Sequence, residues 1–353
     1  MNKINCVKTV LKDNEAAIIL SPINRYYLTG IKSSDGVLFI TKSEAVLYMD
    51  SRYFEMANKS KDAFDVVLLK NYIAQINEKL DTLNIKKTYI ESDYISLFNF
   101  SSLKEKLNTE LSENNIISET IKNARSVKNN IEIDNIIKAQ EITDKTFEYI
   151  LNEIKAGKTE KEIMLLMEYY SRSIGSECPA FDFIVVSGKN SSMPHGVPTD
   201  KKIEYGDFIT MDFGATVNGY RSDMTRTVAI GKVSKEQEII YNTVLLAQKE
   251  AIKEISAGKK CSSIDKTARD IISNEGFGDY FGHALGHSVG LDIHEDPVFS
   301  PRCEKTLQPG NIMTVEPGIY IQGKYGVRIE DMVIVTESGC IDITKSKKEL
   351  IVL

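Results

Sequence analysis

One stretch constrains the fold more than any other. Residues 207–230 read DFITMDFGATVNGYRSDMTRTVAI. Asn218-Gly219 suits a type I′ turn, which needs φ > 0 at both central residues, so the flanks read as an antiparallel hairpin. A turn centred there sets Asp212 opposite Thr225, with Asp223 two positions away on the same face. A turn centred on Val217-Asn218 sets Asp212 directly opposite Asp223. In either register both carboxylates point to one side. Ile209, Met211, Phe213, Met224 and Val228 are apolar, so the hairpin is predicted to be largely buried. Two like charges buried together repel and lose their hydration, an arrangement that needs a countercharge. One or two divalent cations supply it; aspartates facing water on a surface hairpin are the alternative.

Histidine is the next constraint. The chain has 4, at His195, His283, His287 and His294, and three fall in the stretch FGHALGHSVGLDIHED. Such clustering points to a site. His283 and His287 have the i, i+4 spacing of a zinc-protease helix, but that motif needs Glu after the first His, and Ala284 stands there. Gly282, Gly286 and Gly290 argue against a regular helix and for close backbone packing.

Toward the C-terminus, TVEPG ends an apolar strand on Glu316, and VRIED places Arg328 and Glu330 on one face of a second strand. Ion pairing to Arg328 accounts for one such glutamate; for two, a cation is the better reading. Four carboxylates with imidazole form an oxygen-rich set that suits Mn²⁺ better than a closed structural zinc site. A two-metal centre of that kind generates hydroxide at neutral pH and polarises a carbonyl.

The rest of the chain frames this site. Strands are predicted at 16–20, 37–40, 45–49, 65–69 and 87–91, with helices such as 51–60 and 72–83 between them, giving a small α/β domain. A long amphipathic helix follows at 129–155, then a Thr159/Glu162 capping box opening a helix at 160–174, and further helices at 234–255 and 262–274. The domains are set at 1–122 and 123–353. With 44 basic and 50 acidic residues in 353, the net charge is −6 and no basic block is present, which argues against a nucleic-acid partner. No apolar run approaches the ~18–20 residues of a membrane span, and Met1–Lys8 has no apolar core of a secretion signal. Five unclustered cysteines exclude a CxxC pair and fit reduced thiols, so a cytoplasmic location is expected.

The ordered set Asp212, Asp223, His287, Glu316 and Glu330, with the flanking words MDFG, YRSDMTRT, HALGHSVGLDIHE, TVEPGIY and VRIED, resembles the five metal ligands of the pita-bread metallopeptidases. These include methionine aminopeptidase, aminopeptidase P and prolidase. NRYYLTG at 24–30 and YMDSRY at 48–53 resemble the N-terminal domain of the aminopeptidase P, prolidase and creatinase branch. Creatinases lack the metal ligands that this chain keeps.

The resemblance implies a creatinase/prolidase-like α/β N-terminal domain and an α+β pita-bread catalytic domain. It implies hydrolysis of an Xaa–Pro bond, a tertiary amide without an N–H, by a bridging hydroxide on two divalent ions, Mn²⁺ foremost with Co²⁺ or Zn²⁺ as alternatives. Asp212 would chelate one ion and His287 complete the shell of the other, with Asp223, Glu316 and Glu330 binding or bridging both. Glu316 would be general base, His294 would bond the developing oxyanion, and His195 would help move a proton to the prolyl nitrogen. His283 and Phe181 would flank the proline ring, Arg302 would hold the substrate carboxylate, and Arg328 would orient carboxylates. A small peptide with proline after the scissile bond is the expected partner, and a homodimer the expected assembly. An Xaa–Pro dipeptidase is the first reading and an aminopeptidase P the second. A non-catalytic peptide-binding member of the fold is the remote third.

Overall fold

A computed structural model describes residues 3–59 and 63–353. The chain divides into two compact units, Met1–Arg125 and Ser126–Leu353.

In the first unit, short apolar runs form a six-stranded sheet. The strands are β1 (Glu15–Ile19), β2 (Val37–Thr41), β3 (Ala45–Met49), β4 (Asp65–Leu68), β5 (Lys87–Ile90) and β6 (Glu110–Ser112). Their order is β4-β3-β2-β1-β5-β6; β1–β2 and β2–β3 are antiparallel, and β1–β5, β3–β4 and β5–β6 are parallel. The central strands β1 to β3 are buried at every position, so they read as continuous apolar runs rather than alternating ones. Helix α1 (Ile4–Lys8) precedes the sheet, and α2 (Pro22–Thr29), α3 (Ser51–Lys59), α4 (Tyr72–Thr82), α5 (Leu97–Lys106) and α6 (Ile116–Ser126) lie between and after the strands. Ser60, the expected end of the α3 helix, and Met1-Asn2 of the leader reading lie outside the described residues.

The second unit opens with α7 (Asn130–Glu153), started by an Asn129/Glu132 capping box, and α8 (Glu160–Ser173), started by the expected Thr159/Glu162 box. Next come β7 (Ile184–Ser187), β8 (Phe208–Phe213), β9 (Thr216–Val217), β10 (Tyr220–Arg221) and β11 (Met224–Ala229). After α9 (Lys235–Glu254) and α10 (Cys261–Asn274) follow β12 (Gly286–Ser288), β13 (Glu295–Phe299), β14 (Ile312–Val315), β15 (Gly318–Ile321), β16 (Tyr325–Arg328), β17 (Asp331–Val335) and β18 (Cys340–Asp342). Strands β11-β8-β7 form one antiparallel sheet and β13-β12-β14-β17-β18 another, while β9-β10 and β15-β16 are two-stranded ribbons.

The hairpin takes the first of its two registers. Asn218 and Gly219 have φ 49° and 77°, the positive values that a type I′ turn requires, and Thr225 pairs with Asp212. Asp223 falls opposite Gly214, where a Cβ would lie 1.8 Å from the Ser222 carbonyl oxygen; only glycine fits that approach.

The second glutamate strand departs from expectation. Residues 327–331 are not one strand, because β16 ends at Arg328 and β17 begins at Asp331. The cause lies opposite. Pro317 has no N–H to give to a ladder, so its strand breaks between β14 and β15. The register nevertheless runs on across the gap, from Val315↔Asp331 to Gly318↔Arg328. Glu316 and Glu330 therefore stand opposite each other at the break.

Two apolar clusters flank these strands. One joins α9 and α10 to β14 and β17 through residues such as Ile240, Val244, Ile264, Met313 and Val333. The other joins α7 and α8 to the hairpin through Phe147, Ile163, Met211, Phe213 and Val228. All five cysteines are free thiols. Among the described residues no helix is long and apolar enough to cross a membrane.

Candidate metal centre

The two sheets and the strand break bring side chains from 181 to 330 around one cavity of about 590 Å³. Its wall includes Phe181, His195, Asp212, Asp223, His283, His287, His294, Glu316, Arg328 and Glu330. Arg302 is exposed in the segment after β13 and is not part of this wall.

Asp223, His287 and Glu330 each offer one ligand atom, and these atoms all lie within 4.8 Å of one another. His287 Nε2 stands 3.6 Å from Asp223 Oδ2 and 3.4 Å from Glu316 Oε1. The other ring nitrogen, Nδ1, is 3.1 Å from the Ser288 carbonyl oxygen, an acceptor, which makes Nδ1 the protonated nitrogen and leaves the Nε2 lone pair facing the carboxylates. His294 packs edge-on against the His287 ring at 4.4 Å.

Neighbouring donors hold the carboxylates in place. Thr225 Oγ1 donates to Glu330 Oε2 at 2.7 Å, and Thr314 Oγ1 to Glu316 Oε1 at 3.1 Å. Arg328 reaches Asp212 Oδ2 at 2.5 Å, Thr225 Oγ1 at 3.0 Å, the Tyr320 hydroxyl at 2.8 Å and the Pro194 carbonyl at 3.1 Å. Tyr320 in turn sits 3.1 Å from His283 Nε2. Sequence reasoning missed three of these supports. Thr225 shares a strand face with Asp223, Thr314 lies two residues before Glu316, and Tyr320 closes the TVEPGIY word. Strand alternation could have flagged the two threonines; the Tyr320 bridge exists only in three dimensions.

The electrostatics are those of a site short of positive charge. Burial, then Glu330, Asp212 and Glu316, push Asp223 well above the carboxylate range. Burial and the facing Glu316 do the same to Glu330. Glu316 rises to about 8, again chiefly by burial. Burial and the neighbouring His294 lower His287 to about 4, and burial with Arg328 lowers His283 to about 4. Both imidazoles are thus neutral at pH 7. Asp212 Oδ1 is buried and, among the described residues, has no hydrogen-bond partner. Buried polar atoms are rarely left so. Oxygen-rich donors, a neutral imidazole lone pair and an orphaned carboxylate oxygen together fit divalent cations.

The sequence profile of metallopeptidase family M24 matches residues 134–337, more than half the chain. The chain belongs to metallopeptidase family M24. Residues 10–127 match the creatinase/prolidase N-terminal domain. This M24 chain is 42% identical over 340 residues to the Xaa-Pro dipeptidase of Pyrococcus furiosus, covering 96% of this chain and 95% of that one. Its fold superimposes on the Xaa-Pro dipeptidase from Bacillus anthracis with a TM-score of 0.96 at 38% identity, over 99% of both chains. It also superimposes on the X-Pro aminopeptidase from Thermotoga maritima with a TM-score of 0.90 at 36% identity, over 98% of this chain and 100% of that one. The expected pairing of an N-terminal α/β domain with a pita-bread catalytic domain holds, and this M24 member is a metallopeptidase that uses divalent metal.

Proposed function

We propose that the chain is an Xaa–Pro dipeptidase whose Asp212, Asp223, His287, Glu316 and Glu330 hold two divalent cations, Mn²⁺ foremost. One observation carries the reading. Four carboxylates and one imidazole lone pair face each other in a single cavity, with Asp212 Oδ1 buried and unpartnered among the described residues. Cations bound there supply a Lewis acid for the scissile carbonyl and a water acidic enough to ionise near neutral pH.

The chain's own residues do the rest. Glu316 Oε1 is occupied by Thr314, so Oε2 takes the proton of the attacking water. His294, its pKa lowered chiefly by burial, is neutral and donates an N–H to the carbonyl oxygen as negative charge develops. His195 at the cavity wall passes a proton to the prolyl nitrogen as the C–N bond breaks. Phe181 and neutral His283, held by Tyr320 and the Ala284 carbonyl, wall the prolyl ring. Arg328 fixes Asp212 and, through Thr225, Glu330. Arg302 stays outside this assignment, since it does not line the cavity. The domains are proposed as 1–122 and 123–353, and the assembly as a homodimer.

The similarity to the Thermotoga aminopeptidase supports a second reading, removal of one residue ahead of proline in longer peptides. Hydrolysis of an Xaa–Pro dipeptide and an Xaa–Pro–Yaa tripeptide by Mn²⁺-loaded protein separates the two. Cleavage of the dipeptide is expected. Activity confined to the tripeptide replaces the dipeptidase reading with the second, and cleavage of neither removes both.

A further inference from the structure

The segment that carries His195 is tied down at both ends by one carboxylate. Glu160, the first residue of α8, is fully buried. Its Oε1 accepts from Ser187 N at 2.6 Å, Ser187 Oγ at 3.0 Å and Asn190 Nδ2 at 3.1 Å. Its Oε2 accepts from Thr199 N at 2.9 Å and Thr199 Oγ1 at 2.6 Å, with Asn190 Nδ2 also at 3.2 Å. Ser187 ends β7 and Thr199 lies four residues beyond His195. Between the anchors the tip is exposed, with Met193 at 48% and Val197 at 74%.

Helix capping does not explain this arrangement. The α8 cap is already made by Thr159 and Glu162. Among the described residues, the donors to the Glu160 carboxyl are Ser187, Asn190 and Thr199, all in the His195 segment, and hydrogen bonds to a carboxylate are the strong ones. A functional loop keeps its geometry only when its scaffold fixes the ends. Between the anchors the segment also meets the β15–β16 ribbon: Ser191 Oγ accepts from Gly326 N at 2.9 Å, Ser192 Oγ from Gly323 N at 3.4 Å, and the Pro194 carbonyl from Arg328 at 3.1 Å.

We infer that Glu160 is the positioning residue for His195: by fastening Ser187, Asn190 and Thr199 at once, it sets where the imidazole stands in the cavity. The inference rests on the proposed part of His195 in turnover. Glu160→Gln turns one acceptor oxygen into an NH₂ group that faces only donors. In Mn²⁺-loaded enzyme with an Xaa–Pro dipeptide, kcat should fall about 100-fold, the usual cost of a misplaced group. Mn²⁺ affinity by calorimetry should stay at the parent value, and limited proteolysis within 192–198 should speed up. The deciding measurement is the double-variant cycle. In a His195→Ala background, Glu160→Gln should cost nothing more in kcat. A full multiplicative loss there overturns the inference, as does an unchanged rate of proteolytic nicking. If His195→Ala by itself leaves kcat at the parent value, the proposed part of His195 is what has failed. Should Glu160→Gln not fold, Thr199→Val removes the Oγ1 donor to Glu160, together with the acceptor for Asn190 Nδ2 at 3.3 Å and Lys201 N at 3.1 Å. It should lower kcat about tenfold, on the scale of one charge-assisted hydrogen bond, and again only when His195 is present. Parent kcat in Thr199→Val overturns the inference.

Discussion

Glu330 and Asp331 are neighbours in sequence, both fully buried, and they live in opposite electrostatic worlds. Glu330 faces the cavity, where burial, Glu316 and Asp212 push its pKa well above the usual range. Asp331 faces the other way. Arg226 donates to its Oδ1 at 2.6 Å and Gln248 to its Oδ2 at 2.6 Å, with Lys348 bonded to the same Oδ2. Burial alone would raise Asp331, but Arg226 and Lys348 outweigh it and hold its carboxyl below the usual range. Arg226 also binds the carbonyls of Ser346 and Lys347, so this second cluster fastens the C-terminal segment to β11. One carboxylate is complete within the fold and the other is not. A completed buried charge belongs to stability, while an incomplete one marks a place where something else must bind.

The comparison predicts that substitutions on the two sides fail differently. On the cavity side the largest effect is catalytic. Glu316→Gln removes the proposed base while relieving like-charge repulsion, so kcat should fall roughly 10²–10⁴-fold, the range of general-base catalysis. Far-UV circular dichroism of metal-free protein should be unchanged, and its melting temperature at pH 6.5 should stay near the parent value. Near-parent turnover would remove Glu316 from its assigned role.

On the other side the effect is on folding. Asp331→Ala strands Arg226, which is 1% exposed, in the interior and should cost about 3–5 kcal/mol in urea unfolding of the metal-free protein. Glu330→Gln, one residue away, should cost under about 1 kcal/mol, because its carboxyl lies among other carboxyls that raise its pKa and an amide oxygen can still accept from Thr225 Oγ1. Mn²⁺ affinity should reverse that order, with Glu330→Gln losing the most. Equal destabilisation by the two variants would erase the distinction drawn between the two faces.

Much of this site could be read along the chain because its signals are local. The Asn218-Gly219 turn, the apolar flanks of Asp212 and Asp223, and the glycine-rich histidine stretch each declare themselves within a few residues. The register of the hairpin stayed open until the backbone settled it at Thr225↔Asp212. What stayed hidden depends on distant pairing. Thr225 meets Glu330 across 105 positions, and Arg226 meets Asp331 across 105. No local periodicity encodes such contacts. The break at Pro317 was half legible: proline signals it on its own strand, but its effect on residues 329–330 opposite needs the register. In the first unit the buried central strands were legible as apolar runs, whereas β6, with three residues, is too short to show a pattern.

The smallest predicted effect tests the incomplete side without any turnover. Glu316 has a folded pKa raised to about 8, so the metal-free fold binds a proton that the unfolded chain has lost by neutral pH. Its stabilising contribution is full below the unfolded carboxylate value and fades as pH rises through about 8. His287 and His283 act in the opposite sense. Their folded values near 4 lie under the unfolded 6.5, so their contribution is lost as pH falls from 6.5 toward 4. Between 4.5 and 6.5 the two trends oppose each other, and the clean window is pH 6.5 to 8. There the metal-free protein should lose about 1–2 kcal/mol as pH rises, from Glu316 alone, visible as a falling melting temperature. Asp223 and Glu330, raised in the same direction, steepen the slope. Saturating Mn²⁺ should abolish or invert it, since a cation favours the ionised forms and stabilises the fold by mass action. Glu316→Gln should flatten the metal-free slope in the same window, and a slope unchanged in that variant would mean that the titrating charge sits elsewhere in the molecule.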